Sequence, residues 1–208
     1  MSIWIEIRRL FDQLRAQGLY LTLLAAIDKL GRWLTGQPVW RFSRITPAIL
    51  LGGQPARRVW AKLSRMGVTG VINMRQEYDY RTELDGIPLG YLYLPTVDNT
   101  APTVEQLMRG TAFIKQQVEQ GGRVYIHCWE GLGRGPSMAA AYLVQQGKTP
   151  DEAWATIRAI RPFIRPNDVQ KQRLDEFAQY AGGSVGKPSG ATTTNPGVSG
   201  KDTSLRRR

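Results

Sequence analysis

Apolar residues recur at helical spacing at the start of the chain, with Ile3, Ile7, Leu10, Phe11 and Leu14 on one face and Arg8, Arg9 and Arg15 between them. A second helical stretch over residues 19–34 follows Gly18, so the pattern predicts an N-terminal helical hairpin. The periodicity then changes. Short apolar, β-rich runs at 48–51, 68–73, 91–94 and 123–128 alternate with helical segments. Helix starts are signalled at Pro55, at Thr103 with Gln106 three residues on, at Pro136, at Thr149 followed by Pro150 and Glu152, and at Asn167, whose helix turns Leu174 and Phe177 inward. This alternation predicts an α/β fold, a central mostly parallel sheet flanked by helices, with no internal repeat. The expected organisation is a helical extension over 1–45, one catalytic domain over 46–181 and a tail over 182–208.

The strand at 123–128 runs directly into a glycine-rich turn and an Ala-rich helix. That turn, His127-Cys128-Trp129-Glu130-Gly131-Leu132-Gly133-Arg134, sets a cysteine at a strand end and an arginine six residues later, just before the helix. Backbone N–H groups of a short loop leading into a helix can all point inward, and with the helix dipole they form a cradle for a phosphate. Gly131 and Gly133 allow the curvature. The same field favours the thiolate of Cys128, which is the nucleophilic form. Arg134 supplies a planar fork that matches two phosphoryl oxygens. His127 is expected to fix the loop by hydrogen bonds and not to act as the base.

Composition narrows the function further. The chain carries a formal charge of +11, concentrated at its two ends, and residues 182–208 are mostly Gly, Ser, Thr and Pro around Lys187, Lys201, Arg206, Arg207 and Arg208. That tail is expected to be disordered. Basic ends suit an anionic substrate or a membrane surface, and no nucleic-acid motif is present, so no nucleic acid is expected as a partner. One cysteine excludes an internal disulfide framework and a multi-cysteine zinc site, and one histidine excludes a His-rich metal site; no metal and no cofactor are expected. The longest apolar run, 19–27, is too short to span a bilayer. A cytoplasmic protein is expected. Residues 1–35 either pack on the domain or make a peripheral membrane contact, with Trp4, Phe11 and Trp33 at the headgroups.

The loop 127–134, followed by Ala140-Ala141-Tyr142-Leu143, Arg161-Pro162 and Arg165-Pro166-Asn167, resembles the signature of the dual-specificity branch of the protein-tyrosine phosphatase superfamily. With Val71-Ile72-Asn73-Met74 and Gln76-Glu77-Tyr78-Asp79 it is most similar to the mitochondrial-type phosphatase acting on phosphatidylglycerophosphate and its bacterial and plant relatives. The resemblance implies a metal-independent phosphatase working through a phosphocysteine. It implies Asp98, in Val97-Asp98-Asn99, as the general acid on a mobile loop, and it places Glu77, Tyr78 and Asp79 at the substrate entrance.

One position departs from the family pattern: Gly135 stands where Ser or Thr usually follows the arginine. Hydrolysis of the phosphocysteine is therefore expected to be slow. The loop residues Trp129, Glu130 and Leu132 include no lysine, which disfavours a polyphosphoinositide. A phosphorylated protein, a phospholipid monoester such as phosphatidylglycerophosphate, and a soluble ester remain as substrates, and a phosphate-binding pseudophosphatase is the reading outside catalysis.

Overall fold

The computed structural model describes residues 3–185. Four strands, β1 (Ile49–Gly52), β2 (Val68–Arg75), β3 (Gly90–Thr96) and β4 (Arg123–His127), form one sheet in the order β1-β4-β2-β3. All three pairings are parallel. Parallel strands joined by helices are buried on both faces, which explains why β1 and β2 read as nearly continuous apolar runs.

One face of the sheet, with Leu51, Ile72, Leu94 and Ile126, packs on α3 (Val104–Glu119) and α4 (Arg134–Gln145), and α5 (Pro150–Ile160) and α6 (Asp168–Val185) pack against α4 to complete that core. Leu174 and Phe177 of α6 are buried there, as their spacing predicts. The other face, with Leu50, Val71 and Tyr125, packs on Trp60 and Leu63 of α2 (Trp60–Arg65) and on Tyr80 and Leu84.

Local sequence chemistry sets the helix starts. Thr103 accepts from the backbone N of Gln106 while Gln106 Oε1 accepts from Thr103 N, and Thr149 with Glu152 repeats the device. Asn167 and Gln170 form the same reciprocal pair at α6, at 3.0 and 3.1 Å. α4 begins at Arg134, two residues before the start expected at Pro136. Proline is tolerated in the first turn because the N–H it lacks has no helical acceptor there anyway.

The N-terminal extension α1 (Ile3–Thr35) is helical on both sides of Gly18, whose φ of 78° and ψ of 171° interrupt it. No loop of the 2–5 residues that an αα-hairpin uses separates the halves, so the expected hairpin is a helix broken at one residue. The side chains of Ile3, Trp4, Ile7, Leu10 and Phe11, and the tail from residue 186, lie outside what is described.

A parallel sheet brings all its carboxyl ends to one edge. Here those ends are Gly52, Arg75, Thr96 and His127, and β4 lies between β1 and β2. Residues far apart in sequence, Glu77, Asp98 and 128–134, thereby reach a single place.

Candidate active site

The loop after β4 is defined by where its carbonyls go. The Trp129 carbonyl accepts from Gln54 N at 3.0 Å, and the Glu130 and Gly131 carbonyls accept from Arg161 at 2.8 and 2.9 Å. The Leu132 carbonyl accepts from Arg165 N at 2.7 Å, and the Gly133 carbonyl from Ser137 N at 2.9 Å. In a planar trans peptide the following N–H points opposite to the carbonyl. Outward carbonyls at 129–133 therefore aim the N–H groups of 130–134 inward, around Cys128, and Gly131 N donates to Cys128 Sγ at 3.3 Å. Gly131 makes this possible: its φ is +71°, and a Cβ there would stand 2.5 Å from the Gly52 backbone.

Cys128 is 3% exposed and Arg134 2% exposed at the base of a cavity of about 310 Å³. Arg134 Nη1 donates to the Thr96 carbonyl at 2.8 Å and to Glu77 Oε2 at 3.1 Å, and Nη2 lies 3.0 Å from Asp98 Oδ1. Burial opposes the charge of Arg134, but the neighbouring Cys128, Glu77 and Asp98 outweigh it and raise its pKa. Partial burial pushes Glu77 up, and the Arg134 bond together with the charges of Arg134 and Arg75 more than offsets this, holding it below the usual carboxylate range. A sulfur that accepts from a loop N–H, a guanidinium and a carboxylate brought to one cavity are the kinds of group an in-line phosphoryl transfer requires.

Trp129, Glu130, Leu132 and Gly133 all line the cavity; the Arg75 guanidinium also lies over the Trp129 ring, 4.5 Å from its centroid, and Glu130 also pairs with Lys29 of α1 at 3.4 Å. Of the three residues expected at the entrance, the structure brings Glu77 to Arg134. Tyr78 donates instead to Glu83 at 3.0 Å, and Asp79 accepts from Tyr91 at 2.8 Å and from Arg81 N at 3.0 Å. Neither Tyr78 nor Asp79 lines the cavity.

His127 is fully buried among Trp60, Tyr80 and Tyr125, with the Cys128 backbone of the loop as its hydrogen-bond partner. Burial drives its pKa down to about 3 against the opposing effect of that backbone bond, so the ring is neutral.

Several residues of the site lie outside the motif. Asn167 Nδ2 donates to the Asn99 carbonyl at 2.7 Å and Gln170 Nε2 to the Thr100 carbonyl at 2.9 Å, tying the Asp98 loop to α6. Asn99 itself sits at φ 61°. Arg165 lines the same wall. The Asn167 signal was visible as a helix cap; its second partner, 68 residues away, was not. Among the described residues no group of three or more His, Cys, Asp or Glu side chains is placed to hold a metal ion.

Comparison with known proteins agrees with this geometry. Residues 49–180 match the family described as dual specificity phosphatase, catalytic domain. The human phosphatidylglycerophosphatase and protein-tyrosine phosphatase 1 is 37% identical over 145 residues, covering 65% of this chain and 72% of the relative. The Arabidopsis thaliana phosphatidylglycerophosphate phosphatase PTPMT1 is 31% identical over 141 residues, 65% of this chain and 42% of the relative. The crystal structure of PTPMT1 in complex with PI(5)P superposes with a TM-score of 0.65 at 32% sequence identity, covering 68% of this chain and 97% of that one.

Proposed function

This chain belongs to the dual specificity phosphatase family and is a cysteine-based phosphatase, and on that footing we propose that it hydrolyses the phosphate monoester of a glycerophospholipid of the phosphatidylglycerophosphate type. Cys128 is the nucleophile, Arg134 the phosphate clamp and Asp98 the general acid and then base. The thiolate attacks phosphorus in line, the bond from phosphorus to the alcohol oxygen breaks, and Asp98 gives that oxygen its proton. Asp98, now a carboxylate, takes a proton from water; the hydroxide attacks phosphorus, the S–P bond breaks, and inorganic phosphate leaves with the thiolate restored. The observation that carries these roles is the row of outward carbonyls at 129–133, which leaves the N–H groups facing the sulfur beside Arg134.

The lipid substrate rests on α1. Leu19, Leu23, Ile27, Leu30, Trp33 and Leu34 lie along its outward face, with Leu19 74% and Trp33 77% exposed. A face of large apolar side chains on a chain of charge +11 fits a peripheral contact with an anionic bilayer. No described helix is long and apolar enough to cross a membrane. A phosphorylated protein is the second reading, because the human relative's name gives protein-tyrosine phosphatase beside the lipid activity.

Phosphate release with EDTA present, from micellar phosphatidylglycerophosphate, a phosphotyrosine peptide and a small aryl phosphate, tests both levels. Loss of all turnover in Cys128→Ser supports the cysteine mechanism, and preference for the lipid supports the substrate. A peptide preference would move the assignment to phosphoproteins. A wild type that binds phosphate and releases none would leave only the phosphate-binding module.

A further inference from the structure

Two guanidinium groups outside the loop hold three of its consecutive carbonyls. Arg161, fully buried after α5, donates Nη2 to the Glu130 carbonyl and Nε to the Gly131 carbonyl, and its plane lies 4.5 Å from the Phe163 ring. Arg32 of α1 donates Nη1 to the Trp129 carbonyl at 3.4 Å and to the Gln54 carbonyl at 3.2 Å. Both cations converge on one carboxylate. Asp28 Oδ2 is 2.8 Å from Arg161 Nη2 and 3.7 Å from Arg32 Nε, and Asp28 is 2% exposed. Among the described residues it is the only carboxylate paired with Arg161.

We propose that Asp28, acting through Arg161 and Arg32, is a positioning residue for the phosphate-binding loop, so that the N-terminal helix is a working part of the active site as well as a membrane contact. The inference rests on the reading of the loop as the phosphate site. A buried guanidinium without a countercharge is strongly disfavoured, so the two arginines hold their inward orientation because Asp28 neutralises them. Without that charge they repel each other and turn toward water, so the carbonyls of Glu130 and Gly131 lose the Arg161 donors and that of Trp129 keeps only Gln54 N. Each carbonyl shares a rigid peptide plane with the next N–H. Release of the Glu130 and Gly131 carbonyls therefore frees the N–H groups of 131 and 132 to turn away from the anion, while the N–H of 130 is held less firmly. The loop would survive as a connection and fail as a cradle.

A packing role for Asp28 would cost stability alone, whereas a positioning role costs phosphate affinity and turnover in a chain that remains folded. The full-length wild type, Asp28→Asn, Asp28→Glu and, as a control at an exposed position of α1, Ala26→Ser are compared. The readouts are inhibition by inorganic phosphate, kcat and KM for a soluble aryl phosphate, and the thermal unfolding midpoint. Asp28→Asn is expected to weaken phosphate inhibition and lower kcat/KM by about tenfold to a hundredfold, the scale of catalytic-group misplacement by an ångström. Part of the loss should return in Asp28→Glu, and Ala26→Ser should match the wild type. A folded Asp28→Asn chain within twofold of wild type in both constants overturns the proposal. Should Asp28→Asn fail to fold, Arg32→Gln decides: several-fold weaker phosphate inhibition supports it, and an unchanged constant overturns it. A wild type that neither binds phosphate nor turns over would instead overturn the reading of the loop itself.

Discussion

Asp98 Oδ1 lies 3.0 Å from Nη2 of Arg134, and Thr96, two residues before Asp98, takes a hydrogen bond from Nη1 of the same arginine at 2.8 Å. The end of β3 thus seats the proposed acid against the proposed clamp, while the ties of Asn99 and Thr100 to α6 hold the segment in place. Asp98→Asn keeps the shape and removes the proton. We expect kcat for an alkyl ester to fall by about 10²–10⁴-fold with KM not raised, and a smaller fall for an aryl ester whose leaving group needs less help. Steady-state kinetics on both esters checks this; equal losses on the two would mean that Asp98 acts by orienting Arg134 and not by proton transfer.

Gly131→Ala should damage the cradle itself. The backbone there sits at φ +71°, and the new Cβ would meet the carbonyl carbon and oxygen of Gly52 at 2.5 Å, a backbone contact that no side-chain motion relieves. The loop must therefore move away from β1. We expect loss of phosphate binding together with a stability loss of about 1–3 kcal/mol for the strained backbone, read by denaturant unfolding and by phosphate inhibition.

The parts of this site that the sequence disclosed are those built from neighbours. Cys128, Gly131 and Arg134 share one turn, and the caps at Thr103 and Thr149 close within three residues, so their partners are visible in a short window. Arg161 and Asp28 are 133 residues apart, and only the sheet topology and the course of α1 bring them together. The entrance residues show a second limit. Gln76-Glu77-Tyr78-Asp79 is a contiguous polar run, yet the side chains diverge because Tyr91 and Glu83 compete for Asp79 and Tyr78. His127 shows a third: its bond to the Cys128 backbone is local, whereas the rings of Trp60, Tyr80 and Tyr125 that enclose it come from distant elements.

That buried histidine should make stability depend on pH. Its folded pKa is depressed to about 3 from an ordinary value of 6.5, so between these values the unfolded chain binds a proton that the native chain does not. Stability therefore falls as pH drops below about 6.5 and continues to fall to about 3. Between pH 7 and pH 5 this amounts to about 2 kcal/mol at 1.36 kcal/mol per pKa unit. His127 is the only histidine in the chain. Denaturant unfolding of wild type and His127→Phe at the two pH values should show most of the loss in the wild type and little in the variant.

Gly135 bears on the second chemical step. When the phosphocysteine is hydrolysed, charge develops on the departing sulfur, and a hydrogen-bond donor aimed at it lowers the barrier. The hydroxyl of Ser137 cannot serve, because it donates to the Gly133 carbonyl at 3.0 Å. A Cβ built at Gly135 would stand 3.8 Å from Cys128 Sγ, so a serine hydroxyl one bond further can reach the sulfur. Its one tight neighbour is Leu51 Cδ1 at 3.1 Å, the flexible end of a side chain that can yield, at a cost of about 1 kcal/mol. Wild-type enzyme should therefore accumulate phosphoenzyme and show a burst of alcohol release in rapid-quench experiments. Gly135→Ser should shrink the burst and raise kcat by about tenfold or more, below the roughly 10²–10³-fold that one fully aligned donor supplies because the loop N–H groups already share the charge. Absence of a burst in the wild type, with kcat unchanged in the variant, would mean that the N–H groups of the loop already stabilise the leaving thiolate without a hydroxyl.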